Sequence, residues 1–489
     1  MIKSNGGIIG PDNVTTGGAF GTASGVFKLG EVTNLIKESK WPTAGPQGFQ
    51  VANSCRFDDG SSTQMNKTIS STSTTWTFSC WIKLNPTGTN QYLASWDMGS
   101  GESLGIGIEA SSNQLFIYTS STGQAPKLYD GKLRDPGAWM NIVIKNSSGT
   151  ITSYINGTQV KTSITGTALA SGTLRIGCYT GSNYFYDGYM SEVVLIDGTA
   201  YNADSFGEFN SQTGIWVPKD VSGLTFGSDG FYLDFKDSAN LGNDANGGTD
   251  LTEVNLTSID QSTDTCSTNF ATMNPLENFY SNFTFSEGNL SVVSGANGYF
   301  SPILSTIGIP ATSGKWYCEV KFDVASTTVY SFIGITGSPI AQTNLNIGGR
   351  TYGYAYIYNG QKYNNNSGSS YGNGYVEGDI IGIAVDATNS KIYFSKNGTW
   401  QNSGNPESGS TGTGAAFTIS TTPTQGFYFF GCSDDNNGTG TSAWSWNFGS
   451  PPFAISSGNT DANGFGNFEY AVPSGYLSLN TKNLAAVLA

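Results

Sequence analysis

The sequence predicts an all-β protein of two antiparallel β-sandwiches, with an N-terminal arm and one short helix ahead of them. Apolar residues alternate with polar or small ones along much of the chain, as in residues 76–84 and 381–385, and this period of two is typical of strands. Asn-Gly dipeptides at Asn156 and Asn397 favour tight hairpin turns, because both central residues must accept positive φ. Charged residues make up only 12% of the 489 positions and glycine occurs 65 times, a composition rich in turns and poor in helix formers.

Changes in this pattern divide the chain into five segments. We predict an arm at 1–48, a first sandwich at 49–215, a connector at 216–280, a second sandwich at 281–455 and a tail at 456–489. Aromatic residues, at 13% of the chain, supply enough apolar volume for a core in each sandwich, so the low charge does not indicate disorder.

The arm holds the one helix that the pattern predicts. Residues 26–39 carry apolar side chains at spacings of three and four, and a Trp-Pro pair ends the helix. The apolar residues of the helix are Leu29, Val32, Leu35 and Ile36, and Trp41 belongs to the pair that ends it. A lone amphipathic helix needs a surface to lie on, either its own domain or a neighbouring subunit. We therefore predict that these residues form an attachment segment.

Composition also excludes several functions. A net charge of −14 argues against nucleic acid as a partner, because phosphate binding needs clustered Lys and Arg. No run of eighteen apolar residues is present, so we expect no membrane insertion, and the polar start predicts no cleaved export signal. The chain contains no histidine, which removes the commonest general base and imidazole metal sites.

Motifs in each sandwich resemble a known domain. In the second they are SGKWYCEV from Ser313, FIGI from Phe332, YGYAY from Tyr352 and GDIIGIAVDATNSKIYFSKNGTW from Gly378, and in this order they resemble the SPRY domain. In the first they are TFSCWIKL, WMNIVIK, ITSYINGTQV, LRIG and YDGYMSEVVLIDGTAYNADSF. That order resembles the laminin-G-like, or concanavalin A-like, jelly-roll sandwich, which implies a lectin-like fold but leaves its ligand open.

The whole arrangement is similar to virion structural proteins of tailed marine bacteriophages. The likeness extends to GVFKLGEV and KESKWP in the arm, DTCSTNFATMNPL in the connector and VPSGYLSLNTKNL in the tail. It implies a tail fibre or capsid fibre protein that is assembled in the host cytoplasm, resides in the virion and contacts other virion proteins.

The chemistry of the residues predicts no enzyme. Lectin-like sandwiches also host glycosidases whose paired carboxylates alternate along one strand as Glu-x-Asp. No Glu of the first sandwich is followed by Asp at that spacing, and the one such pair, Glu377 and Asp379, lies in the second sandwich. Calcium is the one cofactor that remains open, because Asp244, Asn246 and Asp250 cluster oxygen ligands in a turn-rich loop. The alternative is a solvated turn in which these side chains bond the local backbone.

Aromatic residues near turns are the candidate ligand-binding residues. Tyrosine offers flat, amphipathic area that stacks on sugars or docks on protein at low entropy cost. We predict ligand-binding roles for Tyr363, Tyr371, Trp96, Tyr179, Tyr184 and Tyr186, with placement in the core as the alternative. Tyr363 and Tyr371 follow a strand of alternating tyrosines and are expected in an outward-facing loop.

Two functions remain open at this stage. The first is a virion surface protein that binds a host glycan or protein through sandwich loops, and the second is a structural part that decorates or bridges capsid or tail subunits. An acidic chain is not steered onto anionic glycans, so we expect neutral sugars or protein as the ligand. Weak single contacts need repeated copies, which predicts a homo-oligomer, a trimer held by the N-terminal part.

Overall fold

The computed structural model describes residues 8–10, 25–27, 48–98, 102–181, 183–211, 213–278, 283–295, 302–324, 330–338, 345–435 and 441–488. The predicted attachment residues Leu29, Val32, Leu35, Ile36 and Trp41 lie outside these ranges. Val26 lies in strand β2 (Gly25–Phe27), which pairs antiparallel with β1 (Ile8–Gly10). The prediction that the helix begins at Val26 is therefore wrong, because the backbone there is extended and paired.

Two antiparallel sheets form the first sandwich. One has eight strands, in the order β11 (Thr158–Thr165), β10 (Thr150–Ile155), β9 (Met140–Ser147), β5 (Trp76–Leu84), β13 (Gly188–Asp197), β3 (Ser54–Phe57) and β18 (Gln261–Ser262), with β16 (Phe231–Leu233) also paired to β13. The other has six strands, in the order β17 (Thr252–Val254), β4 (Gln64–Ile69), β12 (Gly172–Ile176), β6 (Gln91–Met98), β7 (Ser103–Ile108) and β8 (Leu115–Thr119). A small hairpin of β14 (Gly207–Phe209) and β15 (Trp216–Pro218) follows the sandwich strands.

The second sandwich is also a pair of sheets. One has nine strands, in the order β19 (Phe283–Ser286), β20 (Ser291–Ser294), β33 (Ala443–Asn447), β23 (Lys315–Val324), β28 (Ile380–Asp386), β29 (Lys391–Lys396) and β30 (Thr399–Trp400), with β31 (Phe417–Thr418) on β29 and β34 (Leu477–Ser478) on β23. The other has seven strands, in the order β21 (Ile303–Leu304), β32 (Phe427–Asp435), β24 (Tyr330–Thr336), β25 (Gly353–Ile357), β26 (Gln361–Asn364) and β27 (Ser367–Ser370), with β22 (Ile309–Pro310) on β32. The predicted fold class, all-β with two antiparallel sandwiches, is confirmed.

Helices are few in the described residues. The single α-helix there, α1 (Thr481–Leu488), lies at the C-terminal end, where the sequence pattern indicated only a tail. Its eight residues were too few for a periodic signal, and Leu484 and Val487 pack against the second core. Short 3-10 turns occur at Ala203–Ser205, Ser258–Asp260, Pro275–Glu277, Ile347–Gly349, Gln401–Ser403 and Pro406–Thr411. No helix within the described ranges is long and apolar enough to cross a bilayer.

The central strands are buried on both faces. All nine residues of β5 are buried, although its sequence alternates and predicts one covered face. Phe78 and Ile82 face the core between the two sheets, whereas Trp81 on the opposite face packs with Phe206 and Trp216, which follow the sandwich strands. Residues remote in sequence therefore cover the outer side of the eight-stranded sheet.

The predicted connector contributes strands to the first sandwich. Strands β16, β17 and β18 all come from residues 216–280, and Phe231, Leu233 and Phe235 lie in the first core. Further along the same segment, Ala271 and Met273 lie in the second core. This stretch is thus built into both sandwiches, and the domain limits drawn from the sequence remain predictions.

Buried charges tie the first sandwich to the connector and to the second sandwich. The Lys83 ammonium, on β5, donates to the Asp264 carboxylate at 2.7 Å, to the Asn269 side chain at 2.8 Å and to the Phe270 carbonyl at 2.8 Å. Arg56, on β3, donates from Nε to Glu287 at 2.7 Å and from Nη1 to the Pro451 carbonyl at 3.1 Å. Both cationic side chains are fully buried, so each is stable only with these partners in place.

We expect Lys83→Met to destabilise the protein strongly. The substitution leaves the buried Asp264 carboxylate without its cation, and breaking a buried pair in this way costs about 3–5 kcal/mol. The matched control is Lys161→Met, because the Lys161–Asp130 pair has a similar length of 2.6 Å but is largely exposed, and such pairs contribute less than about 1 kcal/mol. Urea unfolding followed by tryptophan fluorescence measures the free energy of unfolding of both variants. An equal decrease in the two variants would contradict the structural role of the buried Lys83 pair.

Candidate ligand-binding face

Five aromatic side chains cluster on the outer side of the six-stranded sheet, opposite the core. They are Tyr92 on β6, Phe116 and Tyr118 on β8, and Tyr179 and Tyr184 in the loop after β12; we call this cluster the aromatic face. The ring centroids of Tyr92 and Tyr179 lie 4.7 Å apart, and those of Tyr92 and Phe116 5.4 Å apart. Tyr118 meets Tyr179 at 5.7 Å, and Tyr184 lies 6.0 Å from Tyr92. Contacts of this kind make the rings one continuous surface.

Two glycines of β7 form the floor beneath the rings. A Cβ at Gly105 would lie 2.4 Å from the Tyr92 ring, and a Cβ at Gly107 would lie 2.9 Å from the Phe116 ring. Neither position tolerates a side chain without moving an aromatic residue. The alternation of glycine with Leu104, Ile106 and Ile108 in β7 therefore serves both faces, with apolar side chains in the core and rings lying flat on the outside.

Tyr184 is the most exposed member of the aromatic face, at 49% of its surface. Its φ is +55°, an uncommon value for a bulky residue. The Tyr184 carbonyl accepts a hydrogen bond from the Tyr92 backbone N–H at 3.2 Å, which holds the loop against β6. A strained residue that presents an aromatic side chain to solvent is a feature of binding sites.

The charges at the rim are paired. The Arg175 guanidinium lies 3.6 Å from the Asp97 carboxylate, and the Lys127 ammonium lies 2.8 Å from the Glu109 carboxylate and above the Phe116 ring. The hydrogen bond from Lys127 holds the pKa of Glu109 below its ordinary value. These pairs leave the rim with no net charge, although the chain as a whole is acidic.

The hydroxyls of Tyr92 and Tyr179 are held in the neutral form. Burial raises the pKa of Tyr92 well above its ordinary value, and burial also raises the pKa of Tyr179, whose hydroxyl lies 2.6 Å from the Ser103 hydroxyl. A neutral phenol both donates and accepts a hydrogen bond. The aromatic face thus offers stacking area together with hydroxyl groups, which is what a ring-shaped, hydroxyl-rich ligand requires.

Three of the predicted ligand-binding residues lie in the core, and their prediction needs correction. Trp96 is 1% exposed and packs against Trp76 and Phe78. Tyr186 is fully buried, and its hydroxyl donates to the Lys83 carbonyl at 3.0 Å. Tyr371 is 7% exposed and meets Phe394 and Tyr356. All three sit beside turns, but strands distant in sequence cover them.

The other three predicted residues keep some exposure. Tyr179 and Tyr184 belong to the aromatic face, whereas Tyr363 is half-buried on β26, with its ring edge-on to Phe332 at 5.4 Å. The loop expected around Tyr363 is a hairpin of β26 and β27. Sequence reasoning missed Tyr118, which is half-buried, and also Tyr92 and Phe116, which are 5% and 3% exposed and form the buried part of the aromatic face. The signal for these three was their alternation with core residues in β6 and β8, the strands on either side of β7 and its glycines.

The loop considered for calcium is closed by its own backbone. Asp244 Oδ1 accepts from the backbone N–H groups of Tyr232 at 3.0 Å and Asn246 at 3.1 Å, and Asp250 Oδ1 accepts from the Asp244 N–H at 2.9 Å. The Lys67 ammonium lies 3.8 Å from the remaining Asp244 oxygen. The described contacts are those of a turn, the alternative reading of this loop.

Comparison with known families defines the class of each sandwich. Residues 57–204 match the family model described as the concanavalin A-like lectin/glucanases superfamily, and residues 315–448 match the SPRY domain. The chain therefore contains a laminin-G-type, concanavalin A-like domain followed by a SPRY domain, both folds of the binding type. No curated protein matches the chain.

Solved structures of both kinds resemble parts of the chain at low identity. The SPRY domain of human HERC1 is 15% identical, with a TM-score of 0.28, over 36% of this chain and 96% of that one. A heptameric SAP-like pentraxin from Limulus polyphemus is 17% identical, with a TM-score of 0.26, over 38% and 89%. Domain 4 of AbnA, an arabinanase from Geobacillus stearothermophilus, is 15% identical, with a TM-score of 0.24, over 27% and 64%.

We expect Tyr371→Ala to reduce the free energy of unfolding by about 3 kcal/mol, because truncating a buried aromatic side chain leaves a cavity. Tyr184→Ala is the control, since its half-exposed ring contributes little to packing and its loss costs less than about 1 kcal/mol. Chemical denaturation of both variants measures the difference. A Tyr371→Ala variant as stable as the wild type would contradict the placement of Tyr371 in the core.

Proposed function

We propose that this chain is a non-enzymatic binding protein of a virion surface, and that it holds a neutral glycan on the aromatic face of its first sandwich. The observation that carries the proposal is the half-exposed Tyr184 above the contacting rings of Tyr92 and Tyr179. Sugar rings stack on such surfaces through their C–H faces, while the phenol hydroxyls bond the sugar hydroxyls.

The paired rim favours an uncharged ligand. Because Arg175 and Lys127 are each neutralised by a neighbouring carboxylate, the rim has no free cation to attract a carboxylated or sulfated sugar. The surrounding chain carries a net charge of −14, which repels anionic polymers at long range. Neutral hexose or pentose units are thus the ligand class that this face accepts.

Affinity for one glycan chain is expected to be low. Each aromatic contact contributes ~1 kcal/mol, so adhesion to a cell surface depends on several copies acting together. A homo-oligomer, which we propose to be a trimer joined through the N-terminal part, supplies those copies. This proposal rests on the likeness of the arm, connector and tail to virion fibre proteins, because both matched families also occur elsewhere.

We expect wild-type protein to bind neutral glycans on an array and to bind anionic glycans weakly or not at all. Tyr184→Ala should weaken the binding at least fivefold, which corresponds to the loss of one stacking contact of ~1 kcal/mol. The matched control is Phe209→Ala, because Phe209 is an equally exposed aromatic residue on the separate β14–β15 hairpin. Titration by NMR gives the dissociation constants.

Binding that is unaffected by Tyr184→Ala, or that prefers anionic glycans, would contradict the proposed site. Absence of glycan binding altogether would favour the alternative, a structural part that decorates or bridges virion subunits. Immunogold labelling of particles separates these functions independently, since a tail-distal position fits host binding and a regular lattice position fits decoration. Release of reducing ends from any bound glycan would overturn the non-enzymatic assignment.

A further inference from the structure

Three carboxylates converge where the first sandwich meets the second. Asp58 and Asp59 directly follow β3, and Asp187 directly precedes β13. The two strands are paired, with Phe57 opposite Gly188, so the register places all three residues at one end of the sheet. One oxygen from each carboxylate lies within 4.8 Å of the others. Asp58 and Asp187 are buried and Asp59 is half-buried.

The hydrogen bonds of this group leave one buried carboxylate oxygen without a donor within the described ranges. Asp187 accepts from the Asn85 side chain at 2.8 Å and from the Gly288 backbone N–H at 3.3 Å. Asp58 accepts through Oδ2 from the Ser61 N–H at 2.7 Å, but its buried Oδ1 has no hydrogen-bond partner among the described residues. A buried carboxylate oxygen without a donor costs free energy unless a cation or proton satisfies it.

Two asparagine side-chain oxygens beside the carboxylates are also buried without a hydrogen-bond partner in the described part of the chain. Asn85 donates its amide to Asp187, yet its side-chain oxygen is buried without a partner in the described structure. Asn289, next to Gly288, donates its amide to the Leu84 carbonyl at 3.1 Å, and its side-chain oxygen is also buried without a partner. In both residues the nitrogen is used and the oxygen is free. A cation held between these oxygens would satisfy them together with Asp58 Oδ1.

The nearby basic side chains are paired with other carboxylates. Arg56, two residues before Asp58, is engaged by Glu287 at 2.7 Å and lies 3.6 Å from Asp260. Lys83, two residues before Asn85, is engaged by Asp264 at 2.7 Å.

We propose that Asp58, Asp59 and Asp187 bind one Ca²⁺ ion, with the side-chain oxygens of Asn85 and Asn289 as neutral ligands. Carboxylate and amide oxygens are the ligands that Ca²⁺ prefers, at about 2.4 Å, so two of its ligands are at most about 4.8 Å apart. One oxygen of each carboxylate lies within this limit of the other two. Mg²⁺ fits less well, because it keeps most of its water and demands strict octahedral geometry at shorter distances.

The position of the site gives the ion a structural role. Asp58, Asp59, Asn85 and Asp187 belong to the first sandwich, whereas Asn289 lies in the turn between β19 and β20 of the second. An ion held by both parts links them next to the Arg56 and Lys83 contacts. An open cleft of about 370 Å³ lined by Asp59, Pro86 and Leu276 provides access from solvent. The site is separate from the loop of Asp244, Asn246 and Asp250.

Calcium titration of the EDTA-treated full chain tests the proposal. We expect one Ca²⁺ per chain by isothermal titration calorimetry and a rise in the thermal unfolding midpoint with CaCl₂, as linkage requires for an ion that binds only the folded state. MgCl₂ at the same concentration should produce a smaller rise. Asp59→Asn should weaken Ca²⁺ binding at least tenfold, and this half-buried position lets the variant fold. Terbium luminescence sensitised by nearby tyrosines should fall in parallel.

The matched control is Asp250→Asn, which removes a carboxylate from the other acidic loop and should leave Ca²⁺ binding unchanged. No Ca²⁺-dependent change in the wild type, or an equal response to Mg²⁺, would overturn the proposal. It would also fail if Asp250→Asn abolished Ca²⁺ binding while Asp59→Asn retained it, since the ion would then occupy the other loop.

Discussion

The buried charges between the two sandwiches are the constraint on which the rest of the structure depends. Removing an ammonium or guanidinium group from water costs several kcal/mol unless its hydrogen bonds and charge are fully compensated. Arg56 finds that compensation only in one mutual arrangement of the sandwiches, because Glu287 and the Pro451 carbonyl belong to the second. Lys83 ties the first sandwich to the connector through Asp264 and Phe270. Apolar contacts alone tolerate sliding, whereas these pairs do not, so the junction sets the relative orientation of the two domains.

Segments between and after the two matched domains contribute to the packing of both sandwiches. Strands β16 to β18 extend the sheets of the first sandwich, and β34 together with α1 packs on the second. They cover apolar faces that each sandwich alone would expose to water, which is the usual condition for a sheet buried on both sides. The outer side of the six-stranded sheet keeps its aromatic face partly exposed, and this exposure is the basis of the proposed glycan site.

The proposed glycan site and the proposed ion site use separate groups of residues. The aromatic face stacks uncharged rings over paired rim charges, while the acidic group at Asp58, Asp59 and Asp187 lies at the junction. An ion at the junction would strengthen the link between domains without touching the ligand. Such a division suits an adhesive protein, whose weak individual contacts are useful only if the scaffold transmits force between repeated copies.

The sequence by itself determined the strands, the turns and the class of both sandwiches. Alternation identified β5 and β28, and Asn397-Gly398 makes the tight turn that its dipeptide predicts, with φ of +46° and +77°. Which aromatic residues reach the surface was decided only by the tertiary structure. Alternation separates two faces of a strand but does not show which face a distant segment covers, so Trp96 and Tyr371 were placed outside and the half-buried Tyr118 was missed. The acidic group could not be predicted from the sequence either, because strand pairing, and not sequence proximity, brings Asp187 to Asp58 and Asp59.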